Sequence, residues 1–175
     1  MTSIKLLRLI TILFCVVLSE SKGTAMQEVD EILNKHHITL GTFTHPIEGL
    51  NSEEGDYVRQ RQESSDNFDI VAIAGLYAQQ AYGGKRNSPY KRTDLLLEAA
   101  RWYKKAANQG ALEAIGPLAG CLNRILNDPS DLKPKIGEEE NLRSAIVDLF
   151  DLAGRNGDED AQLAHQALAE LYSRL

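Results

Sequence analysis

The stretch Ala99-Ala-Arg-Trp-Tyr-Lys-Lys-Ala-Ala-Asn-Gln-Gly110, continued by Ala111-Leu-Glu-Ala114, decides the fold. Its small and aromatic residues, Ala99, Trp102, Tyr103, Ala106 and Ala107, recur at the three- and four-residue steps of one helical stripe. The alanines let a second helix axis approach closely, and the aromatic pair fills the groove that such an approach leaves. Gly110 tolerates the left-handed turn on which helices commonly end. A helix that stops there and turns back onto its neighbour is the structure this stretch specifies.

Working outward, the same logic marks further helices. Asp66 or Asn67 can cap a helix running through Ile70, Ile73, Ala74 and Tyr77 to the Gly83-Gly84 stop. The loop from Lys85 to Arg92 contains Pro89, which bars helix continuation. Thr93 or Asp94 caps the helix that carries the central stretch. A third helix is expected from about Leu112 to Ile125, with Pro117 starting or kinking it. After the loop Asn127–Pro134, a fourth runs from Glu138 to Arg155, and Gly157 breaks it. Asp158 caps a last helix to Tyr172. No alternating run is long enough for a strand, so the expected class is all-α. Upstream, Met26–Asn34 can form a short helix with Met26, Val29, Ile32 and Leu33 on one face. Residues 36–66 contain Gly41, Pro46, Gly49, Gly55 and a polar end, and read as an irregular, flexible linker.

The central pattern recurs. With Gly157 set on Gly110, Leu149-Phe150 falls on Trp102-Tyr103, Ala153 on Ala106 and Ala161 on Ala114, a separation of 47 residues. Periods of that length mark stacked helix pairs. Ile73-Ala-Gly-Leu-Tyr77 and Leu168-Ala-Glu-Leu-Tyr172 also match each other. The pattern of Ala99, Trp102, Tyr103, Ala106, Ala107, Gly110, Ala114 and Leu118 resembles the Sel-one-like repeat family, a relative of the tetratricopeptide repeats. The chain departs from it at Ala119 and Leu122, where the family has glycine and tyrosine. It also carries about one extra helical turn between Gly157 and Leu168. The resemblance covers residues 67–175. It implies a short α-solenoid of antiparallel helix pairs acting as a scaffold or adaptor without catalysis, and in exported bacterial members, action at the envelope or at host contact.

The chain begins with a basic pair, Lys5 and Arg8, before the apolar run Leu9–Leu18, with Ser19, Ser21, Gly23 and Ala25 after it. These are the marks of a secretory signal, and cleavage is expected after Gly23. The expected organisation is therefore a signal peptide over 1–23, a short helix and flexible linker over 24–66, and a helical repeat domain over 67–175. Cleavage would remove Lys5, Arg8, Lys22 and Glu20, making the mature chain two charges more negative than the −6 of the whole sequence. Such a chain has little general affinity for nucleic acid or anionic lipid, and no stable membrane insertion is expected after cleavage. Cys121 would be its only cysteine, which excludes an internal disulfide. Set among Leu118, Leu122 and Ile125, it reads as a small buried apolar residue.

Charge is polarised. Lys85, Arg86, Lys91, Arg92, Arg101, Lys104 and Lys105 crowd one segment, opposed there only by Asp94 and Glu98, whereas residues 127–160 are strongly acidic. Lys85, Arg86, Tyr90, Lys91, Arg92, Lys104 and Lys105 are the expected docking surface for another protein, with Tyr90 as an aromatic anchor. His36, His37 and His45 lack a nearby ligand at metal-binding spacing, and no metal or cofactor is expected. Ser144, Asp148 and His165 lack the sharp nucleophile turn of a hydrolase, and no catalytic residue is assigned. The expected function is an exported, periplasmic or secreted interaction scaffold. The alternative is a stoichiometric inhibitor or immunity protein against an envelope-active enzyme or toxin.

Overall fold

The computed structural model describes residues 27–44, 50–83, 91–128, 136–172 and 174. The expected signal peptide lies outside them. All regular structure among the described residues is helical: α1 (27–35), α2 (Ser52–Arg61), α3 (Asn67–Gly83), α4 (Arg92–Ala107), a 3₁₀ turn (Leu112–Ala114), α5 (Ile115–Leu126), α6 (Glu139–Arg155) and α7 (Glu159–Tyr172). None of these helices is long and apolar enough to cross a membrane.

Successive helices do most of the packing, α3 on α4, α4 on α5, α5 on α6 and α6 on α7. Helix α4 sits at the centre. Thr93, Leu95 to Ala100, Trp102, Tyr103, Ala106 and Ala107 are all buried, so the helix is covered almost all round. That condition belongs to a helix with neighbours on several sides. Asp94 in its first turn and Lys104 and Lys105 in its last complement the helix dipole.

Two expectations are corrected. The third helix does not run unbroken from Leu112. A 3₁₀ turn precedes α5, and Pro117 falls in the first turn of α5. A first-turn amide has no partner within the helix, so Pro117 stands at the start of α5, the first of the two placements expected for it. The stretch 36–66 is also not simply an irregular linker. Asn51 accepts from the Glu54 amide at 2.9 Å while Glu54 accepts from the Asn51 amide at 3.1 Å, a capping box that starts α2. Val58 of α2 is buried, as are Val29, Leu33, Ile38 and Leu40 from the N-terminal segment. Composition read residues 36–66 as polar and loose, but Ile38, Leu40 and Val58, apolar side chains at the right places, secure them.

Helices α4 and α6 end alike. Gly110 and Gly157 take φ of +90° and +98°. The Ala111 amide donates to the Ala106 carbonyl at 3.0 Å, and the Asp158 amide to the Ala153 carbonyl at 3.1 Å. Each is the six-to-one bond of a Schellman cap, and the two stand 47 residues apart. Helix α1 ends the same way on His37, at φ +56°, with the Ile38 amide on the Leu33 carbonyl at 2.8 Å.

An alanine at a left-handed position costs about 1–2 kcal/mol. Gly110→Ala and Gly157→Ala are each expected to lower stability by about that amount in urea unfolding, with unchanged helical circular dichroism. Equal stability of both variants and the parent would show that the shared caps do not hold the turns.

Candidate functional site

The N-terminal segment binds the rest of the chain across α4 and α6. Asp30 of α1 lies 2.7 Å from the Lys104 ammonium and accepts from the Asn108 amide group at 3.0 Å, both on the α4 side. Glu28 reaches Arg155 of α6 at 3.5 Å, and Lys35 reaches Asp148 of α6 at 2.9 Å. After α1, the Thr39 amide donates to the Ile136 carbonyl at 2.8 Å. Exposed ion pairs contribute about 0–1 kcal/mol each, whereas each buried Val, Leu or Ile is worth about 1.5–3 kcal/mol. Val29, Leu33, Ile38 and Leu40 therefore hold the segment down, and the charges set where it lies.

Beyond Leu40 the chain turns at Gly41, φ +72°, and forms an exposed arm, residues 41–44. The arm crosses α4 at a charged side chain that is fully buried, Glu98 at 0 % exposure. The Thr44 amide and hydroxyl both donate to Glu98 Oε2, each at 3.1 Å, and Arg101 lies 2.7 Å from the same oxygen. Arg101 Nε also donates to the Leu40 carbonyl at 2.7 Å. The Phe43 ring lies on Trp102, centroids 4.8 Å apart and tilted by 55°. The Lys105 ammonium stands 4.8 Å from the Trp102 ring centroid. Alongside runs a cleft of ≈ 610 Å³ lined by Ile38, Leu40, Phe43, Arg101, Lys104 and Lys105, among others.

A second cleft, ≈ 730 Å³, opens between the end of α1 and helices α6 and α7, lined by Lys35, His36, Arg143, Ser144, Asp148 and Tyr172, among others. His36 Nε2 donates to Asp148 Oδ2 at 2.8 Å. Burial alone would raise the Asp148 carboxyl, but the hydrogen bonds from His36 and Lys35 outweigh it and hold the group below its usual value. Ser144 turns its hydroxyl back to the Glu140 carbonyl at 3.1 Å. His165 donates Nδ1–H to the Val147 carbonyl at 3.3 Å. Ser144, Asp148 and His165 thus serve separate local contacts, and the pair at Asp148 is a latch between α1 and α6.

The residues singled out in the sequence are placed as follows. Lys85, Arg86 and Tyr90 lie outside the described residues. Lys91 precedes α4 and is exposed, and the neighbouring Arg92 donates Nε–H to the Ala81 carbonyl at 3.0 Å. Lys104 and Lys105, expected to meet a partner, are engaged within the chain: Lys104 with Asp30, and Lys105 with Trp102 and with the Gln62 and Ser64 carbonyls at 3.5 and 3.4 Å. Ala99, Trp102, Tyr103, Ala106, Ala107, Ala114 and Leu118 are all buried. Burial pushes the Cys121 thiol up to about 12, so it stays protonated at neutral pH. His36 and His37 point to different tasks, one to Asp148 and one to the turn ending α1. His45 lies outside the described residues. Among the described residues no three His, Cys, Asp or Glu side chains group closely enough to hold a metal ion.

Phe43, Thr44, Glu98 and Arg101 were not among the expected site residues. For Glu98 and Arg101 a signal existed in the 47-residue register: Glu98 aligns with Ala145, Arg101 with Asp148 and Lys104 with Asp151. A core position that changes from alanine to glutamate, and surface positions that change sign, mark where α4 and α6 meet different neighbours.

No protein-family model matches this chain, and no curated protein and no solved structure matches it either.

The folded Asp148 carboxyl is depressed, so its contribution is fully present above the unfolded value of 3.8 and is lost as pH falls through the lower folded value. Thermal melts of the parent and Asp148→Asn, taken from about pH 6 to about pH 2.5, are expected to differ by a few degrees at the high end and converge at the low end. A gap that does not change with pH would show that the latch is not ionic.

Proposed function

We propose that this chain is an exported protein–protein interaction scaffold, a short stack of antiparallel helix pairs that docks another protein, as the resemblance to Sel-one-like repeats implies. The observation that carries this reading is the register of 47 residues, in which α4 and α6 share buried aromatic or apolar pairs, close-packing alanines and the same glycine cap. Units so built bury little of themselves alone and gain their core from neighbours, which leaves long surfaces for partners. No reaction is part of the proposal.

Two surfaces suit docking. One is the basic segment, of which Lys91 is exposed among the described residues. The other is the outer side of α3 and α7. Phe68 is 77 % exposed and Leu163 66 % exposed, and they hold equivalent positions when Ile73–Tyr77 is aligned with Leu168–Tyr172. These exposed apolar side chains are candidate points of partner contact, one on each helix. The Tyr82 ring, with the Arg124 guanidinium 4.2 Å from its centroid, extends the same support toward α5. The positive segment on a chain of net charge −6 favours an acidic partner.

The test is affinity capture from the envelope fraction of the source cell with the parent chain and a charge reversal at Lys85, Arg86 and Lys91. One stoichiometric partner is expected, bound about tenfold more weakly by the reversal variant and with a smaller dependence on salt, while helicity is unchanged. Equal affinity for the two chains would remove the basic segment from the docking surface. If no stoichiometric protein is captured, the scaffold reading itself fails for the envelope.

A further inference from the structure

We propose that the arm Gly41–Thr44 is a displaceable placeholder in a peptide-binding site on α4 formed by Glu98, Arg101, Trp102 and Lys105. Its external occupant is an extended segment of the partner that carries an aromatic residue followed by a hydroxyl residue. The existence of such a partner rests on the scaffold reading above. The site itself rests on the following geometry.

The N-terminal segment has two parts with different attachments. Through Leu40 it is anchored by buried apolar side chains. From Gly41 onward every residue is exposed, and the Phe43 side chain is 38 % exposed even where it lies on Trp102. A short exposed arm hinged at a glycine belongs to the part of a structure that opens without global unfolding. Yet this arm covers demanding groups. Trp102 is 1 % exposed beneath it and Glu98 is 0 % exposed.

A buried carboxylate is costly unless hydrogen-bonded. Arg101 from within α4, and the Thr44 amide and hydroxyl from outside, all donate to the same oxygen, Glu98 Oε2. The fold does not require this charge. The equivalent position in the second unit is Ala145, fully buried and apolar, and Trp102 is matched there by Leu149. Glutamate and tryptophan at these positions of α4 create a place that asks for an N–H, an O–H and an aromatic ring in one extended segment. The arm supplies that set through Phe43 and Thr44. The cleft of ≈ 610 Å³ beside it, lined by Arg101, Lys104 and Lys105, gives an incoming segment a place to engage before the arm leaves. While the arm is docked, the apparent affinity for the partner segment is reduced by the fraction of molecules with the site closed.

The probe is a fluorescein-labelled peptide with the sequence of residues 38–44, added in trans to the whole chain and read by anisotropy. The comparison is between the parent and a double variant, Phe43→Ala with Thr44→Ala, that disables the arm. Peptide affinity at least tenfold higher for the double variant than for the parent is expected, together with loss of binding when the peptide's own Phe is replaced by Ala. Trp102 is the sole tryptophan, and its emission should shift to the red in the double variant and return when peptide binds. Equal affinity for both chains, or no binding to the double variant, overturns the proposal. Should the double variant fail to fold, amide hydrogen exchange of the parent decides. Exchange at Thr44 at least a hundredfold faster than at residues 98–105 supports the placeholder. Equal protection makes the arm part of the core and overturns it. The peptide result does not depend on any captured protein, so its failure is distinct from failure of the scaffold reading.

Discussion

Helix α4 has almost no side left for water, and the remaining helices are arranged to satisfy it. Its alanines, Ala99, Ala100, Ala106 and Ala107, bring neighbouring axes in, while Leu95, Leu96, Trp102 and Tyr103 fill what the alanines leave. Helices α3 and α5 cover two sides. The third side carries Glu98 and Trp102, and there the chain spends its N-terminal segment. A helix of this composition standing alone would expose more apolar surface than a soluble protein tolerates. The position of α1, the arm and the turn at Gln62–Ser64 thus follows from what α4 needs covered.

The opposite charges of the two halves of the chain have an internal use. Helix α1 carries the carboxylates Glu28 and Asp30 and ends on Lys35, and His36, a cation when protonated, follows it directly. The acidic end meets Lys104 and Arg155, and the basic end meets Asp148. The reverse placement of α1 would set Lys35 near Lys104 and the carboxylates near Asp148. Like charges so placed repel, and buried apolar contact alone does not choose between the two directions. Apolar burial supplies the binding, and charge supplies its direction.

Much of this was legible in the sequence and some was not, for physical reasons. Helices α3 to α7 follow from local periodicity and from glycine and proline punctuation, signals carried by the residues of each element. The Schellman caps at Gly110 and Gly157 follow from the glycines alone. Helix α2 was legible in principle, because Asn51 and Glu54 have capping-box spacing, but the polar composition around them masked it. The engagement of Lys104 and Lys105 was not legible, since a basic residue at the end of a helix looks the same whether it faces solvent or an unseen carboxylate. Phe43 and Thr44 were hidden for a similar reason. Each is a single residue in a stretch without periodicity, and only the three-dimensional approach of that stretch to α4 gives them a role.

The 47-residue register between α4 and α6 makes the asymmetry between these two helices informative. Where units are stacked for stability alone, equivalent core positions tend toward the same chemistry, as Ala106 and Ala153 do. At Glu98 and Ala145 they diverge, and the divergence is expensive, because the buried carboxylate needs hydrogen-bond donors, Arg101 and Thr44 among them, where the alanine needs none. Arg101 donates from α4 itself, and Thr44 donates twice from an arm that is otherwise exposed. Helix α6 meets α1 through the half-buried Asp148, at the register position of Arg101. Helix α4 buries its polar contact, Glu98, beneath the Gly41–Thr44 arm. A structure that needed only closure could have used the apolar solution it already has 47 residues later. The polar one makes closure depend on the particular donors that are presented, which is the property a recognition site requires.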